Sequence, residues 1–375
     1  MPIPEIVAIV CLVYAALYIV FALLVSVGSR RIKTHDLPDE LPRVSVIVCA
    51  RNEERDIERC LTHLAALDYP ADKLELIIVD DESEDGTAAI LQEIASKDDS
   101  FIILNSKDAT TTLPAKQRPL DMGIHHAKGE FILTTDADIA VKPGWVKAHL
   151  AAYDDSVGIA GGITRIDSSS GRIFDRLINI DQVSKLAVSM GCVGLGVPFT
   201  VMGNNLSFRK KCYISCGGFE GFAESIVEDM ALMNAIVRET DYSVGWATGT
   251  DSVALSAPEE SLDALLNQRR RWLQELGTLS LTGKMLIGFE FLMGMVFLMM
   301  LFLSPMLPKQ FLAVAMAWTA GYIFFMSPLP GREKNDIAWI PLLILFQLYY
   351  SAVFVLKELT SEKSVVWKGR VYKNE

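Results

Sequence analysis

The chain has 375 residues, with 35 Lys or Arg, 46 Asp or Glu and a formal net charge of −11. Hydrophobic residues make up 51% and mean hydropathy is +0.29, so charge is concentrated in one part of the chain and membrane segments are expected elsewhere. The acidic balance argues against nucleic acid as a partner, because phosphate backbones are bound by Lys/Arg surfaces. Six cysteines without a Cys-x-x-Cys pair argue against a disulfide scaffold and for reduced thiols.

From Ile6 to Val27 no residue is charged, a run of about 22 residues that suffices to cross a bilayer as a helix. Arg30, Arg31 and Lys33 follow it. A cleaved signal peptide carries its charges before the apolar run, so residues 1–29 read as an uncleaved anchor. The positive-inside rule then puts the N-terminus outside and the chain after Arg30 in the cytoplasm, as an integral protein of the cell's inner membrane.

Residues 40–276 have mixed polarity and the length of one domain. Val44–Val48 reads as a strand that ends in Cys49-Ala-Arg-Asn-Glu53. Ile57, Leu61, Leu64 and Leu67 follow at helical spacing. Leu74–Val79 reads as a buried strand stopped by Asp80-Asp81-Glu82-Ser83, Thr87–Ile94 as a helix, and Phe101–Leu104 as a third strand. Phe131–Thr135 is a fourth strand and ends in Asp136-Ala137-Asp138. Apolar strands alternating with helices imply a parallel α/β sheet in three layers. Such sheets bind ligands outside the carboxyl ends of their strands, where all three polar clusters fall.

The chain has neither a GxxxxGK[ST] nor a GxGxxG loop for phosphate. Asp-x-Asp at a strand end is another way to hold it, because two carboxylates can bind a divalent cation that bridges phosphate oxygens. The plainer reading is a solvated turn with capping side chains. Glu228-Asp229 precedes the helical pattern Met230, Leu232, Met233, Ile236, where acids suit the helix dipole or serve as a general base. In Gln268-Arg269-Arg270-Arg271-Trp272, helical spacing puts Gln268, Arg271 and Trp272 on one face. Arg269 and Arg270 then point elsewhere, toward lipid headgroups.

Three apolar stretches close the chain, Met285–Leu303, Phe311–Met326 and Ile337–Leu356, within a membrane bundle at 285–356. Glu290, near the start of the first, is the one charge inside them. The tail at 357–375 carries Lys357, Lys363, Lys368, Arg370 and Lys373. Three crossings from a cytoplasmic domain place that tail outside, whereas its basic charge favours inside.

VSVIVCARNEE, IIVDDESEDGT, TTDADIAVKPGWV, the VED triplet ending at Asp229 and QRRRW occur in this order. Together they are specific, and the chain from about Val44 to Trp272 resembles family 2 glycosyltransferases. These are membrane-bound GT-A enzymes that include cellulose, chitin and hyaluronan synthases and ceramide glucosyltransferases. The resemblance implies a GT-A three-layer α/β/α sandwich with one N-terminal and about three C-terminal transmembrane helices. It implies a nucleotide-sugar donor, with a UDP-sugar favoured, and a lipid or glycan acceptor at the membrane. Ala50, Arg51 and Glu53 match the first nucleotide-binding loop, and Asp81 the acid that contacts uracil, with Asp80 beside it. Lys116 matches the lysine of the family's Gly-Lys-Ala-x-Ala-Leu-Asn stretch, here Ala-Lys-Gln-Arg-Pro-Leu-Asp. Asp136 and Asp138 match the DxD that holds the ribose side and Mg²⁺ or Mn²⁺. Asp229 matches the catalytic base, with Glu228 before it, and Gln268, Arg271 and Trp272 match the QxxRW that holds the diphosphate and frames the acceptor site.

The implied reaction is an inverting transfer to a lipid acceptor, with a processive polysaccharide synthase as the alternative. The few spans favour the lipid acceptor over a polymer channel. A donor-binding scaffold without activity is disfavoured because every acid the chemistry needs is present. A transporter is disfavoured because the spans lack central charges.

Overall fold

The computed structural model describes residues 1–221, 228–274, 279–333, 335–360, 364–367 and 370–373. Helix α1 (Ile3–Arg31) opens the chain. It is followed by β1 (Val44–Ala50), α2 (Ile57–Ala65), β2 (Leu74–Asp80), α3 (Thr87–Lys97), β3 (Phe101–Asn105) and α4 (Gln117–His126). Next come β4 (Phe131–Asp136), β5 (Ile139–Ala140), α5 (Trp145–Leu150), β6 (Val157–Gly161), β7 (Thr164–Ile166) and the long α6 (Ile173–Gly194). The middle of the chain continues with β8 (Asn205–Arg209), α7 (Lys210–Ser215), α8 (Gly218–Gly221), α9 (Glu228–Glu239), β9 (Ser243–Trp246), β10 (Ala254–Ser256) and α10 (Leu262–Gln274). Helices α11 (Leu281–Leu303), α12 (Pro308–Met326) and α13 (Ile340–Thr360) and strands β11 (Ser364–Trp367) and β12 (Arg370–Lys373) end it.

These elements form two compact units. One comprises Ile32–Gly171, Thr200–Glu275 and Lys363–Glu375, and the other Met1–Arg31, Arg172–Phe199 and Leu276–Glu362. The stretch 40–276 is therefore not one body, because α6 within it belongs with the terminal helices.

In the first unit a seven-stranded sheet has the order β3-β2-β1-β4-β8-β6-β9. Strands β1 to β4 pair in parallel, as the alternating pattern requires. The sheet is not parallel throughout: β8 runs antiparallel to both β4 and β6. No βα crossover within this unit leads into β8, since the chain before it runs through α6 of the other unit. Alternation sends Val44, Val46 and Val48 of β1 to one face, where they share a buried cluster with Ile57, Leu61 and Leu64 of α2. Ile47 points to the opposite face, toward α4. A Cβ on Gly123 there would come within 2.7 Å of Ile47, so glycine is what lets α4 lie against the sheet. A small sheet, β5-β10-β7, places β10 beside the residues that follow Asp138.

In the second unit, Ile3–Arg31, Leu281–Leu303 and Asp336–Glu358 are, among the described residues, the helices long and apolar enough to cross a membrane. The C-terminal region thus holds two such helices where three were expected. Helix α12 has 19 residues, but Lys309 and Gln310 in its first turn and Thr319, Gly321 and Tyr322 farther on dilute its apolar character. Small residues allow α1 and α6 to cross closely: a Cβ on Gly28 would collide with the carbonyl of Gly191, and one on Gly194 with that of Gly28. Helix α6 was not legible as a bundle helix because it carries Asp175, Asn179, Asp181, Gln182 and Lys185. The charged ones have partners inside the unit, and Asp175 pairs with Arg172 at 2.7 Å. Asp181 accepts from Lys185 at 2.5 Å and from Gln347 of α13 at 2.8 Å. Because α11 starts at Leu281, Glu290 is nearer mid-helix than the apolar pattern suggested, and it accepts from Tyr18 of α1 at 3.2 Å. A central charge in a span is therefore present, and its partner is a neighbouring helix.

Candidate active site

Loops at the ends of β1 and β2 form one wall. Ala50 closes β1, and its carbonyl accepts from the Asp81 N–H at 2.7 Å. Arg51 is only 8% exposed; its guanidinium donates to the carbonyls of Asp81 and Glu82 at 2.6 and 2.9 Å and pairs with Glu84 at 3.3 Å. Its visible work is to tie the two loops together. The Glu53 N–H donates to Thr87 at 2.8 Å, and the Asp80 carboxylate accepts the Ser83 N–H at 3.2 Å. Asp81, 3% exposed, accepts from Ser106 at 2.7 Å and from Arg118 at 2.8 Å. Among the described residues, three non-glycine residues have positive φ: Asn52 at 53°, Glu82 at 58° and Ala115 at 49°. All lie in loops around this wall, where strained backbone commonly marks a functional site. Ala115 stands where the family stretch has glycine, the residue that adopts this conformation without strain.

Lys116, at the entry to α4, bridges two acids that are distant in sequence. Its ammonium lies 2.5 Å from Asp136 at the end of β4 and 3.1 Å from Glu228 at the start of α9. Burial opposes its charge, but the carboxylates of Asp136 and Glu228 outweigh that and hold its pKa well above the ordinary lysine value. Asp138 accepts from the Ser256 hydroxyl of β10 at 2.9 Å. The Asp138 carbonyl accepts from Arg59 at 3.2 Å, and the same guanidinium reaches the Leu255 carbonyl at 3.0 Å. Burial, then the neighbouring Asp136 charge, raises the pKa of Asp138 to about 6.

Asp229 accepts from the backbone N–H of Gly203 at 2.5 Å and of Met230 at 2.7 Å. Burial, followed by the charge of Glu228, raises its pKa to about 7. Val227, the first residue of the VED triplet, lies outside the described residues. Gly203 is itself held from β4: Thr134 donates to the Gly203 carbonyl at 2.8 Å and Thr135 to that of Asn204 at 3.0 Å. Behind them Asn205 accepts from Trp145 at 2.9 Å and from His149 at 2.8 Å. Burial lowers the pKa of His149 to about 4, so the ring is neutral at pH 7.

The QRRRW run lies on α10, which begins at Leu262, shortly after Ser256. Gln268 donates to Glu259 at 2.8 Å. Arg271 and Trp272 are half-buried. The expectation that Arg269 points toward headgroups fails: it is 7% exposed, on the buried face with Leu265 and Leu266, and its guanidinium stacks 4.2 Å from the Trp272 ring centroid.

Asp136 and Asp138 suit a divalent cation. They are two carboxylates on one turn, and burial followed by the Asp136 charge makes Asp138 hold its proton more tightly, a repulsion that a cation would relieve. Among the described residues no three His, Cys, Asp or Glu side chains stand so placed that they could hold a metal ion by themselves.

The profile of the family described as Glycosyl transferase family 2 matches residues 45–228, from β1 to the acid beside Asp229. The chain carries a glycosyl transferase family 2 domain. A mannosyltransferase from Pyrobaculum calidifontis, solved with GDP-Man and Mn²⁺, has the same fold. Its TM-score is 0.59 at 19% identity, over 94% of this chain and 99% of that one. The architecture is accordingly GT-A with transmembrane-capable helices. Poly-beta-1,6-N-acetyl-D-glucosamine synthase of Staphylococcus aureus is 26% identical over 63% of this chain and 55% of its own length. Beta-monoglucosyldiacylglycerol synthase of Trichormus variabilis is 27% identical over 52% of this chain and 42% of its own. The chain thus spans about half the length of these curated relatives.

The domain brings Lys116, Asp136 and Glu228 into direct contact and sets Asp138 and Asp229 against them electrostatically. Four contributors carried no sequence signal that was used: Arg59, Arg118, Gly203 and Ser256. Ser256 and Asp138 are 118 residues apart, and Gly203 acts through its backbone.

Lys116→Gln keeps most of the side-chain length but leaves Asp136 and Glu228 without their cation. Stability at pH 7, read by thermal unfolding in detergent, should fall by about 1–3 kcal/mol. The lysine's contribution is present through neutral pH and is lost above its elevated pKa. An unchanged melting temperature at pH 7 would show that the contact stabilises nothing.

Proposed function

We propose that the protein transfers one sugar from a nucleotide-sugar, favoured as a UDP-sugar, to a hydroxyl of a membrane lipid, with inversion at the anomeric carbon. The observation that carries this reading is the convergence of Lys116, Asp136 and Glu228 at the strand ends, next to an Asp229 whose proton affinity suits a base near neutrality. The acceptor oxygen forms a bond to the anomeric carbon as the bond from that carbon to the diphosphate oxygen breaks. Asp229 takes the hydroxyl proton, and the nucleoside diphosphate leaves. A single displacement converts an α-linked donor into a β-linked product.

Ala50, Arg51, Glu53, Asp80 and Asp81 would line the nucleoside side, and Lys116 and Arg271 would face the diphosphate charge. Gln268 and Trp272 would frame the acceptor. Asp136 and Asp138 would hold Mg²⁺ or Mn²⁺, which supplies neutralisation of the leaving diphosphate when bound. The lipid acceptor is supported by the small number of membrane helices and by similarity to an enzyme named for a glucosylated diacylglycerol. Similarity to an enzyme named for a polysaccharide favours the second reading, a processive synthase. Incubation with labelled UDP-sugars, GDP-mannose as a contrast, and membrane lipid extract separates these readings by product length and donor choice.

The catalytic unit is placed in the cytoplasm, with α1 crossing from outside. The tail strands β11 and β12 group with that unit, and β11 lies against α10. Lys363 and Lys368 are outside the described residues, but Arg370 and Lys373 lie on β12. A tail on the catalytic side requires an even number of C-terminal crossings, so one of α11, α12 and α13 does not cross. This removes the conflict with positive-inside. A fluorescent protein fused to the C-terminus should then fluoresce and an alkaline phosphatase fusion should be inactive; the reverse pattern would mean three crossings.

Asp229→Asn should lower kcat at least about 10²-fold while leaving nucleotide affinity intact. In the wild type the base form exists above the pKa, so kcat/KM should rise with pH through about 7 and then level off. Near-normal turnover of the variant, or a flat profile from pH 5.5 to pH 8.5, would refute the assignment.

Chelation should abolish transfer, with recovery on adding Mg²⁺ or Mn²⁺. Ser256→Ala removes the hydroxyl that orients Asp138 and should raise the metal concentration needed for half-activity about tenfold. Full activity in excess chelator would remove the ion from the scheme.

A further inference from the structure

We propose that Arg269 is a positioning residue that acts through Trp272, fixing the plane of the indole against which the acceptor is framed. The proposal rests on the reading of Trp272 as an acceptor-side residue given above. Of the three consecutive arginines, Arg269 is the buried one, while Arg270 and Arg271 remain half-buried. At 100° per residue, Trp272 falls between Gln268 and Arg269 around the helix. The Arg269 guanidinium lies over the indole face, 4.2 Å from guanidinium carbon to ring centroid, a distance at which the π-face attracts a cation. Gln268, on the other flank, is fixed by Glu259 at 2.8 Å. The indole is therefore bordered by the buried Arg269 guanidinium on one side and, on the other, by a Gln268 side chain that Glu259 fixes.

This contact also fits the position of α10. The chain leaves Ser256, which donates to Asp138, and the next N–H, of Ala257, donates to the Asp138 carbonyl at 3.3 Å. Glu259 follows and α10 begins at Leu262. The DxD turn and the helix that presents Trp272 are thus joined by a short, hydrogen-bonded segment. A guanidinium is suited to the role because it is planar and weakly hydrated, so it can lie flat on a ring while buried. Lysine keeps the charge but offers no flat face.

The test uses the full chain in detergent micelles, with UDP and Mn²⁺ as binding probes and lipid extract as the varied acceptor. Arg269→Met should raise the acceptor KM about threefold to thirtyfold, with kcat and UDP affinity changed less than about twofold. Arg269→Lys should recover part of the loss. In a Trp272→Ala background Arg269→Met should add less than about twofold, because its route is already gone. Equal losses in both backgrounds, or a parallel loss of UDP affinity, would overturn the proposal. A readout independent of turnover is the fluorescence of Trp272, taken as the difference between each protein and its Trp272→Phe counterpart. It should become more accessible to acrylamide in Arg269→Met and less so in Arg269→Lys. Unchanged quenching in both variants overturns the proposal even if no sugar transfer is found. If the wild type transfers no sugar from any donor while quenching responds as expected, the acceptor reading fails and the Arg269–Trp272 contact stands.

Discussion

A lysine ammonium shared by two carboxylates is the contact on which the site is organised. Asp136, Asp138, Glu228 and Asp229 crowd the region where β4 ends, and Lys116 touches two of them. Two like charges 4 Å apart repel by about 4 kcal/mol at an effective dielectric of 20. One lysine does not neutralise four acids, and burial together with a neighbouring carboxylate raises the proton affinity of Asp138 and Asp229. In the proposed reaction the excess negative charge favours a cation at Asp136 and Asp138, Lys116 offers a fixed positive charge to the diphosphate, and the raised proton affinity of Asp229 serves the acceptor proton.

The antiparallel strand β8 makes this crowding possible. Asn205 at its start pairs with Thr135 at the end of β4, which puts Gly203 and Asn204 level with the DxD turn. A parallel strand in the same position would start at the opposite edge of the sheet and carry Gly203 away from Asp229. Thr134 and Thr135 then clamp the two residues through their carbonyls, and the Asn205–His149–Trp145 network anchors the strand from behind. Gly203 needs no side chain here. Its N–H is the functional group, and a Cβ would sit 3.3 Å from the Asp229 carboxylate oxygen.

Strands β1 to β4 were legible because each is an apolar run closed by a polar cluster, a local pattern that fixes both element and end. The DxD, the Glu-Asp pair and QRRRW were legible for the same reason, since each is contiguous. What escaped depends on partners distant in sequence. The direction of β8 is set by a chain path through α6. The burial of α6 depends on Lys185, Gln347 and Tyr350 satisfying Asp181, so a helix with seven polar or charged side chains in the eleven positions from Asp175 to Lys185 does not look like a bundle element. Arg269 was misjudged because a helical wheel gives direction but not what lies opposite. Its ring partner sits three residues on, whereas a run of arginines beside a membrane suggests headgroups.

The order of segments along the chain carries one further consequence. The chain leaves the catalytic unit after Gly171, runs through α6, and re-enters at Thr200. Three residues, Thr200 to Met202, separate that re-entry from Gly203, which donates to the proposed base. At the other end α10 finishes at Gln274, and the membrane-helix unit resumes at Leu276. An extended residue spans at most about 3.6 Å, so three cannot reach much beyond about 11 Å. Along the sequence, the backbone donor to Asp229 and the helix with Trp272 are thus each only a few residues from a segment of the membrane-helix unit. The nucleotide-side loops at 50–53 and 80–84 have no such neighbour along the chain. That sequence order is what the proposed transfer to a membrane lipid would use: the segments nearest the acceptor chemistry are the ones that adjoin the membrane-helix unit along the chain.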